Sequence, residues 1–205
     1  LETFAVIDFE TTGLSPDHGS RPTEIGVALI RDGKIIDRYQ SLMNAGVRIP
    51  ADIVAFTGIT NDMVKKAPRV DVVMREAADF VGTHPLVAHN APFDRKFWDA
   101  ELAPLQRKRS QEFACSMLLS RRVFPNAPNH RLGSLVETLR LPATGKYHRA
   151  LADAEAAAHL IAKIQSELMR RYALPHVSHE MLVKIQKVSK DKLEGCIARL
   201  MRDAE

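Results

Sequence analysis

The sequence predicts an α/β fold whose sheet opens with antiparallel strands and continues with parallel ones. Three observations carry this prediction. Phe4-Ala5-Val6-Ile7 is a run of apolar and β-branched residues followed by a Thr11-Thr12-Gly13 turn, the pattern of a buried strand. Residues 24–31 and 34–43 read as two more strands joined by Asp32-Gly33, a dipeptide suited to tight hairpins. Leu86-Val87-Ala88, between Pro85 and His89, is a short apolar strand of the parallel kind, and it leads into a helix at Asn90-Ala91-Pro92.

The remaining elements follow in order. Residues 14–23 form a loop rich in Pro, Asp, His, Gly and Ser. Thr60 or Asn61 caps a short helix that stops before Pro68. Residues 71–81 are amphipathic, with Val72, Val73, Ala77, Phe80 and Val81 near one side and Gly82 as terminator. The helix entered at Asn90 runs from Phe93 to Leu102 and breaks at Pro104. Phe113 and Ala114 belong to a last strand, and helices follow over 116–123 and 132–139, the second closed off by Pro142 and Gly145. Residues 150–171 make the clearest helix, rich in alanine and free of Gly and Pro. Its core stripe is Ala150, Ala154, Ala157, Ile161, Ile164 and Leu168. From Tyr172 the character changes: Leu174-Pro175-His176 is a joint, followed by amphipathic helices over 180–188 and 191–201. The expected organisation is a main domain over residues 1–173 and a helical appendage over 174–205. That appendage would cap the core, contact a partner or pair with a second copy.

With 205 residues, 45% of them hydrophobic, the chain buries one ordinary core. No apolar run approaches about 18 residues, so no membrane span is expected, and no signal peptide is read. Cys115 and Cys196 show neither metal-ligand spacing nor a disulfide framework, which suits a reducing cytoplasm. The net charge is +4, and from Arg95 to Arg149 eleven Lys and Arg stand against four Asp and Glu. A basic stretch beside an acidic pocket suits a polyanion held by its backbone, although a solvated basic surface reads the same way.

The chemistry concentrates at the end of the first strand. Side chains alternate along a strand, so Asp8 and Glu10 share one face while Phe9 points to the other. Two anions at the edge of a core repel unless something positive lies between them. Mg²⁺ or Mn²⁺ suits such hard oxygen ligands; a solvated acidic strand end is the plainer alternative. Asp94 falls in the first turn of the helix after His89-Asn90-Ala91-Pro92-Phe93, where the macrodipole favours an acid in any case and Asn90 serves as an ordinary cap. Asp153 lies among Ala150, Ala157 and Leu160, so it needs a partner, either a metal or an arginine. His148 precedes it by five residues, which on a helix would leave the two side chains about 140° apart. His148 therefore sits outside the helix, on the loop through Gly145, Lys146 and Tyr147, able to swing towards the acids and accept a proton near neutrality.

Asp8-x-Glu10, then His89-Asn90-Ala91-x-Phe93-Asp94, then His148-x4-Asp153 resembles the DEDDh exonucleases, the DnaQ-like family that includes bacterial proofreading subunits of the epsilon type. The likeness covers residues 3 to 170, and Phe56-Thr57-Gly58-Ile59-Thr60 and His130-Arg131-Leu132-Gly133-Ser134-Leu135 look like family stretches too. It implies a ribonuclease-H-like fold, with a mixed five-stranded sheet of three antiparallel and two parallel strands flanked by helices. It also implies that Asp8, Glu10, Asp94 and Asp153 hold two divalent cations, Mg²⁺ or Mn²⁺, about 4 Å apart. His148 would take a proton from the attacking water, and a nucleoside 5′-monophosphate would leave a 3′ end. Thr11, Thr12 and Leu14 would line the terminal nucleotide's pocket, Phe93 would pack beneath its sugar or base, and Phe56, Thr57 and Asn90 would complete the surroundings. Phe93 fits a core aromatic equally, and His89 and Asn90 read as supporting or structural groups.

Two departures stand out. Thr57 occupies a place where many relatives carry His, and Cys115-Ser116 one where an Asp-Thr pair is frequent. Trp98, His159 and the methionines read as packing. The resemblance thus implies a metal-dependent 3′→5′ exonuclease on a single-stranded or frayed 3′ end of DNA, with a role in proofreading or repair and a DNA polymerase subunit as a partner for residues 174–205. An RNA trimmer of the ribonuclease T or oligoribonuclease type is the second reading, because 2′-hydroxyl tolerance depends on few contacts. A non-catalytic binding module is the third, and the four carboxylates and His148 speak against it.

Overall fold

The computed structural model describes residues 2–145 and 148–203. Lys146 and Tyr147, on the loop expected to carry His148, lie outside the described residues, as do Leu1, Ala204 and Glu205. β1 (Thr3–Thr11), β2 (Pro22–Arg31) and β3 (Lys34–Leu42) form an antiparallel meander. β4 (Leu86–Ala88) and β5 (Phe113–Cys115) add in parallel, giving the order β3-β2-β1-β4-β5. This is the mixed five-stranded sheet expected. Asp32 and Gly33 take φ of 52° and 71°, the left-handed values that a two-residue hairpin requires.

The helices are α1 (Ala51–Thr57), α2 (Asn61–Lys65), α3 (Val70–Val81), α4 (Ala91–Leu102), α5 (Ser116–Val123), α6 (Leu132–Thr138), α7 (Ala150–Tyr172), α8 (His179–Ile185) and α9 (Leu193–Arg202). α1 has no counterpart in the sequence reading: seven residues between Pro50 and Gly58 are too few to display a period. α2 starts as expected, with the Thr60 hydroxyl accepting the Met63 N–H. α3 departs from expectation in its buried face. Val73, Met74, Ala77 and Val81 are buried, whereas Val72 is exposed and Phe80 only half-covered. Val72 lies about 100° around the helix from Val73, too far to join a stripe set by residues 73, 77 and 81.

The alternation of β1 divides the core. Phe4 and Val6, with Ala28 and Ile30, pack under α5 and α7. Ala5, Ile7 and Phe9, with Ile25, Val27 and Leu29, pack under α3 and α4. Asp8 and Glu10 continue the α7 side of β1 beyond its apolar part. All six residues of the stripe expected on α7 are buried. Beyond residue 173, Leu182, Ile185, Leu193 and Ile197 join the same core as α5 and α7. The Gln186 amide also satisfies the outer edge of β5, accepting the Cys115 N–H at 2.6 Å and donating to the Phe113 carbonyl at 3.0 Å. Among the described residues, no helix is long and apolar enough to cross a membrane.

Candidate active site

Three elements bring the acids together. β1 pairs with β4 only at Ala5 and Val6, and the strand then runs on alone on that side. The Phe9 N–H is left without a ladder partner there, and Asp94 Oδ1 accepts it at 3.1 Å. Asp94 reaches this position from the first turn of α4 and is 2% exposed. The turn before it corrects the sequence reading: Asn90 makes no side-chain cap and instead adopts φ 64° and ψ 50°. Asparagine tolerates this left-handed conformation better than most residues, and the sharp turn aims α4 back over the end of β1. Asp153 comes from the opposite layer, in the first turn of α7, where its Oδ2 accepts the backbone N–H of His148 at 3.0 Å. His148 lies outside the helix with φ 61°, as the spacing requires.

One oxygen each from Asp8, Glu10 and Asp153 lie within 4.8 Å of one another. Asp94 stands beside this trio, one of its oxygens being committed to Phe9. Among the described residues, none of the four forms an ion pair with Lys or Arg. Burial, then the charges of Asp94, Asp153 and Glu10, push Asp8 well above the usual carboxylate range. Burial, then Asp153 and Glu24, push Glu10 up to about 8 against the opposing pull of Arg149. Burial likewise raises Asp94, opposed by the Phe9 N–H, and Asp153, opposed by the His148 N–H. The cluster is short of positive charge. Oxygen ligands packed this closely, without cations of their own, fit a divalent metal.

Two grooves meet at the trio. The first, of about 610 Å³, is lined by Thr11, Thr12, Leu14, Phe56, Thr57 and Phe93 together with Asp8, Glu10, Asp153 and His148. The second, of about 520 Å³, joins Asp8, Asp153 and His148 to His89, Asn129, Arg131 and Ser134. Larger cavities open elsewhere, one of about 790 Å³ beside Phe4 and Met169, but they do not reach the carboxylates. Leu14 is 81% exposed and Phe56 58% exposed at the rim of the first groove, and the Phe56 ring lies 3.9 Å from the His148 ring, centroid to centroid.

The threonine hydroxyls are largely taken up by backbone. Thr11 donates to the Gly13 carbonyl, Thr12 accepts the Arg21 N–H, and Thr57 donates to Ile53 and accepts the Ile59 N–H. They shape the groove floor more than they offer free polar groups. Asn90 lines neither groove. His89 is fixed between the Ser116 hydroxyl and the His130 carbonyl, and burial lowers it to about 4, so it stays neutral as a supporting group. Of the described basic residues between Arg95 and Arg149, Arg131 alone lines a groove that reaches Asp8.

Sequence reasoning missed Glu24 and Arg149. Glu24 faces Glu10 across the β1–β2 ladder, is fully buried, and binds the Arg149 guanidinium through both oxygens at 2.7 and 3.0 Å. Its partner is 125 residues away, so nothing local marked it.

Residues 5–161 match the RNase_T family, described as exonuclease. DNA polymerase III of the PolC type from Bacillus cereus is 36% identical over 171 residues, 83% of this chain but 12% of that protein. The Bacillus subtilis counterpart is 36% identical over 165 residues, 80% of this chain and 11% of that protein. The chain thus spans about an eighth of the length of these curated relatives. Among solved structures, exonuclease X in complex with 5′ overhanging duplex DNA superimposes with a TM-score of 0.67 at 28% identity, covering 84% of this chain and 95% of that one. The nuclease domain of 3′hExo, a DEDDh family member bound to rAMP, shares the fold with a TM-score of 0.68 at 20% identity, covering 85% and 94%.

Proposed function

Because the chain belongs to the RNase_T exonuclease family, we propose that it works as a DEDDh-type enzyme and removes nucleotides from the 3′ end of single-stranded or frayed DNA by metal-dependent hydrolysis. The observation that carries this reading is the meeting of Asp8, Glu10 and Asp153 within 4.8 Å, with Asp94 beside them and no basic partner for any of the four among the described residues. Two Mg²⁺ or Mn²⁺ ions held by these carboxylates would supply charge that polarises water and offsets the negative charge growing on the phosphate.

The chain's own residues do the rest. The groove of Leu14, Phe56 and Phe93 offers apolar faces to the terminal sugar and base, and Thr11, Thr12 and Thr57 close its floor. His148, its ring tilted against that of Phe56 and its backbone N–H tied to Asp153, takes the proton as the water oxygen attacks phosphorus. The bond to the 3′-oxygen of the shortened strand then breaks, and a nucleoside 5′-monophosphate departs. DNA is favoured over RNA as substrate by the polymerase relatives and by the exonuclease X likeness. The same relatives support action beside a DNA polymerase, which would meet the outer faces of α8 and α9 in the appendage over residues 174–205.

The test uses 5′-labelled single-stranded DNA, duplex with a mismatched 3′ end, and RNA, each with Mg²⁺, Mn²⁺ or EDTA. A ladder of shortened DNA with either metal and none in EDTA is expected. Intact DNA with both metals, or shortening that EDTA does not stop, would overturn the proposal, and faster loss of RNA would move the substrate to RNA.

A further inference from the structure

The residues directly opposite Asp8 and Glu10 in the β1–β2 ladder are Gly26 and Glu24, and both serve the start of α7. A Cβ on Gly26 would lie 2.3 Å from the Leu151 nitrogen and 2.4 Å from the Ala150 carbonyl carbon. The absent side chain is therefore what lets the first turn of α7 rest on the β2 backbone. The N-cap of that helix is Arg149, whose side chain caps nothing, although the first N–H groups of any helix need an acceptor. Glu24 supplies it from across the sheet: Oε2 accepts the Ala150 N–H at 3.0 Å and Arg149 Nε at 3.0 Å. Its Oε1 accepts Arg149 Nη2 at 2.7 Å and Gln40 Nε2 at 2.8 Å. Four donors saturate the carboxylate. Glu24 is thus a neighbour of Glu10 with no lone pair left for a metal, and it is paired with the arginine that precedes Ala150.

We propose that Glu24 and Arg149 are positioning residues for the exonuclease site, a cap delivered from β2 that fixes the start of α7 and so sets Asp153 and His148 against Asp8 and Glu10. The inference rests on the metal-dependent reading above. His148 and Asp153 lie one and four residues from Arg149 and are themselves joined by a hydrogen bond. Sites of this kind tolerate about 0.5 Å of misplacement, and freeing the Ala150 end of α7 shifts both groups together. Partners that orient ligands in this way, without touching the metal, typically change affinity or rate about 10–100-fold when removed.

The experiment compares the full chain with Glu24→Gln and Arg149→Met, without nucleic acid, by following the melting temperature as Mn²⁺ is added, and then measures kcat and KM on single-stranded DNA. In both variants the Mn²⁺ concentration for the half-maximal rise should increase about 10–100-fold. The rate constant kcat should fall by a similar factor, with KM within about twofold and the far-UV circular dichroism unchanged. A merely structural contact would lower the metal-free melting temperature and leave the Mn²⁺ midpoint and kcat in place, and that result overturns the inference. Should Glu24→Gln not fold, Arg149→Met decides by the same criteria, because Arg149 is half-exposed and its loss removes the two bonds that hold the Glu24 carboxylate against Ala150. If the parent melting temperature ignores Mn²⁺, the metal reading fails and takes this inference with it. If the parent responds and both variants respond identically, only the inference falls.

Discussion

Glu10→Gln tests the electrostatics of the site without any substrate. Burial, Asp153 and Glu24 raise the Glu10 carboxyl from 4.5 to about 8 in the folded protein. A folded value above the unfolded one means that the native state binds the extra proton. Stability is therefore full below about pH 4.5, falls as pH rises through about 8, and stays low above it. If Glu10 bore this alone, the loss at pH 9 would be on the order of 5 kcal/mol. Asp8 and Asp153 are raised beside it and divide the repulsion, so neutralising Glu10 should recover about 2–4 kcal/mol. In a domain of this size that corresponds to a rise of about 5–15 °C in melting temperature. The assay is thermal or urea unfolding in EDTA at pH 4.5 and pH 9. Glu10→Gln should match the parent at the lower pH and exceed it at the higher one, while losing the parent's stabilisation by Mn²⁺. A variant less stable than the parent at pH 9, or equally shifted at both pH values, would refute the idea that crowded anions destabilise the metal-free fold.

Three further outcomes follow from the same geometry. His148→Ala should lower kcat about 10²–10⁴-fold at pH 7 and by less at pH 9, where hydroxide is plentiful; equal losses at both would deny His148 a role as base. Asp94→Asn and Asp94→Ala should both abolish cleavage. The Asn variant keeps an acceptor for the buried Phe9 N–H, so the Ala variant should be about 1–3 kcal/mol less stable than it in urea. Leu14→Ala, at a side chain 81% exposed, should leave stability within about 0.5 kcal/mol and raise KM for DNA; an unchanged KM would remove Leu14 from the substrate groove.

The acids at strand and helix ends were legible because their positions follow from local periodicity. Asp8 and Glu10 share a face by alternation, and Asp153 sits in the first turn of a helix whose alanines announce it. His148 was placed outside that helix by angular arithmetic alone, and its φ of 61° agrees. What was not legible depends on contacts distant in sequence. Glu24 looks like any first residue of a strand until α7 arrives on it. Asp94 was expected among the other acids; its second task, holding the Phe9 N–H left over by the early end of the β1–β4 ladder, was not legible. The basic stretch was read as one surface, yet Arg107 and Arg149 are paired with Asp79 and Glu24, both outside that stretch.

The central claim is that divalent cations hold these carboxylates together, and diffraction from crystals soaked in Mn²⁺ addresses it most directly. Anomalous density is expected between the oxygens of Asp8, Glu10 and Asp153, with Asp94 contributing from the α4 side. Crystals saturated with Mn²⁺ that show no such peak, or that show these side chains turned apart to separate solvent positions, would contradict it.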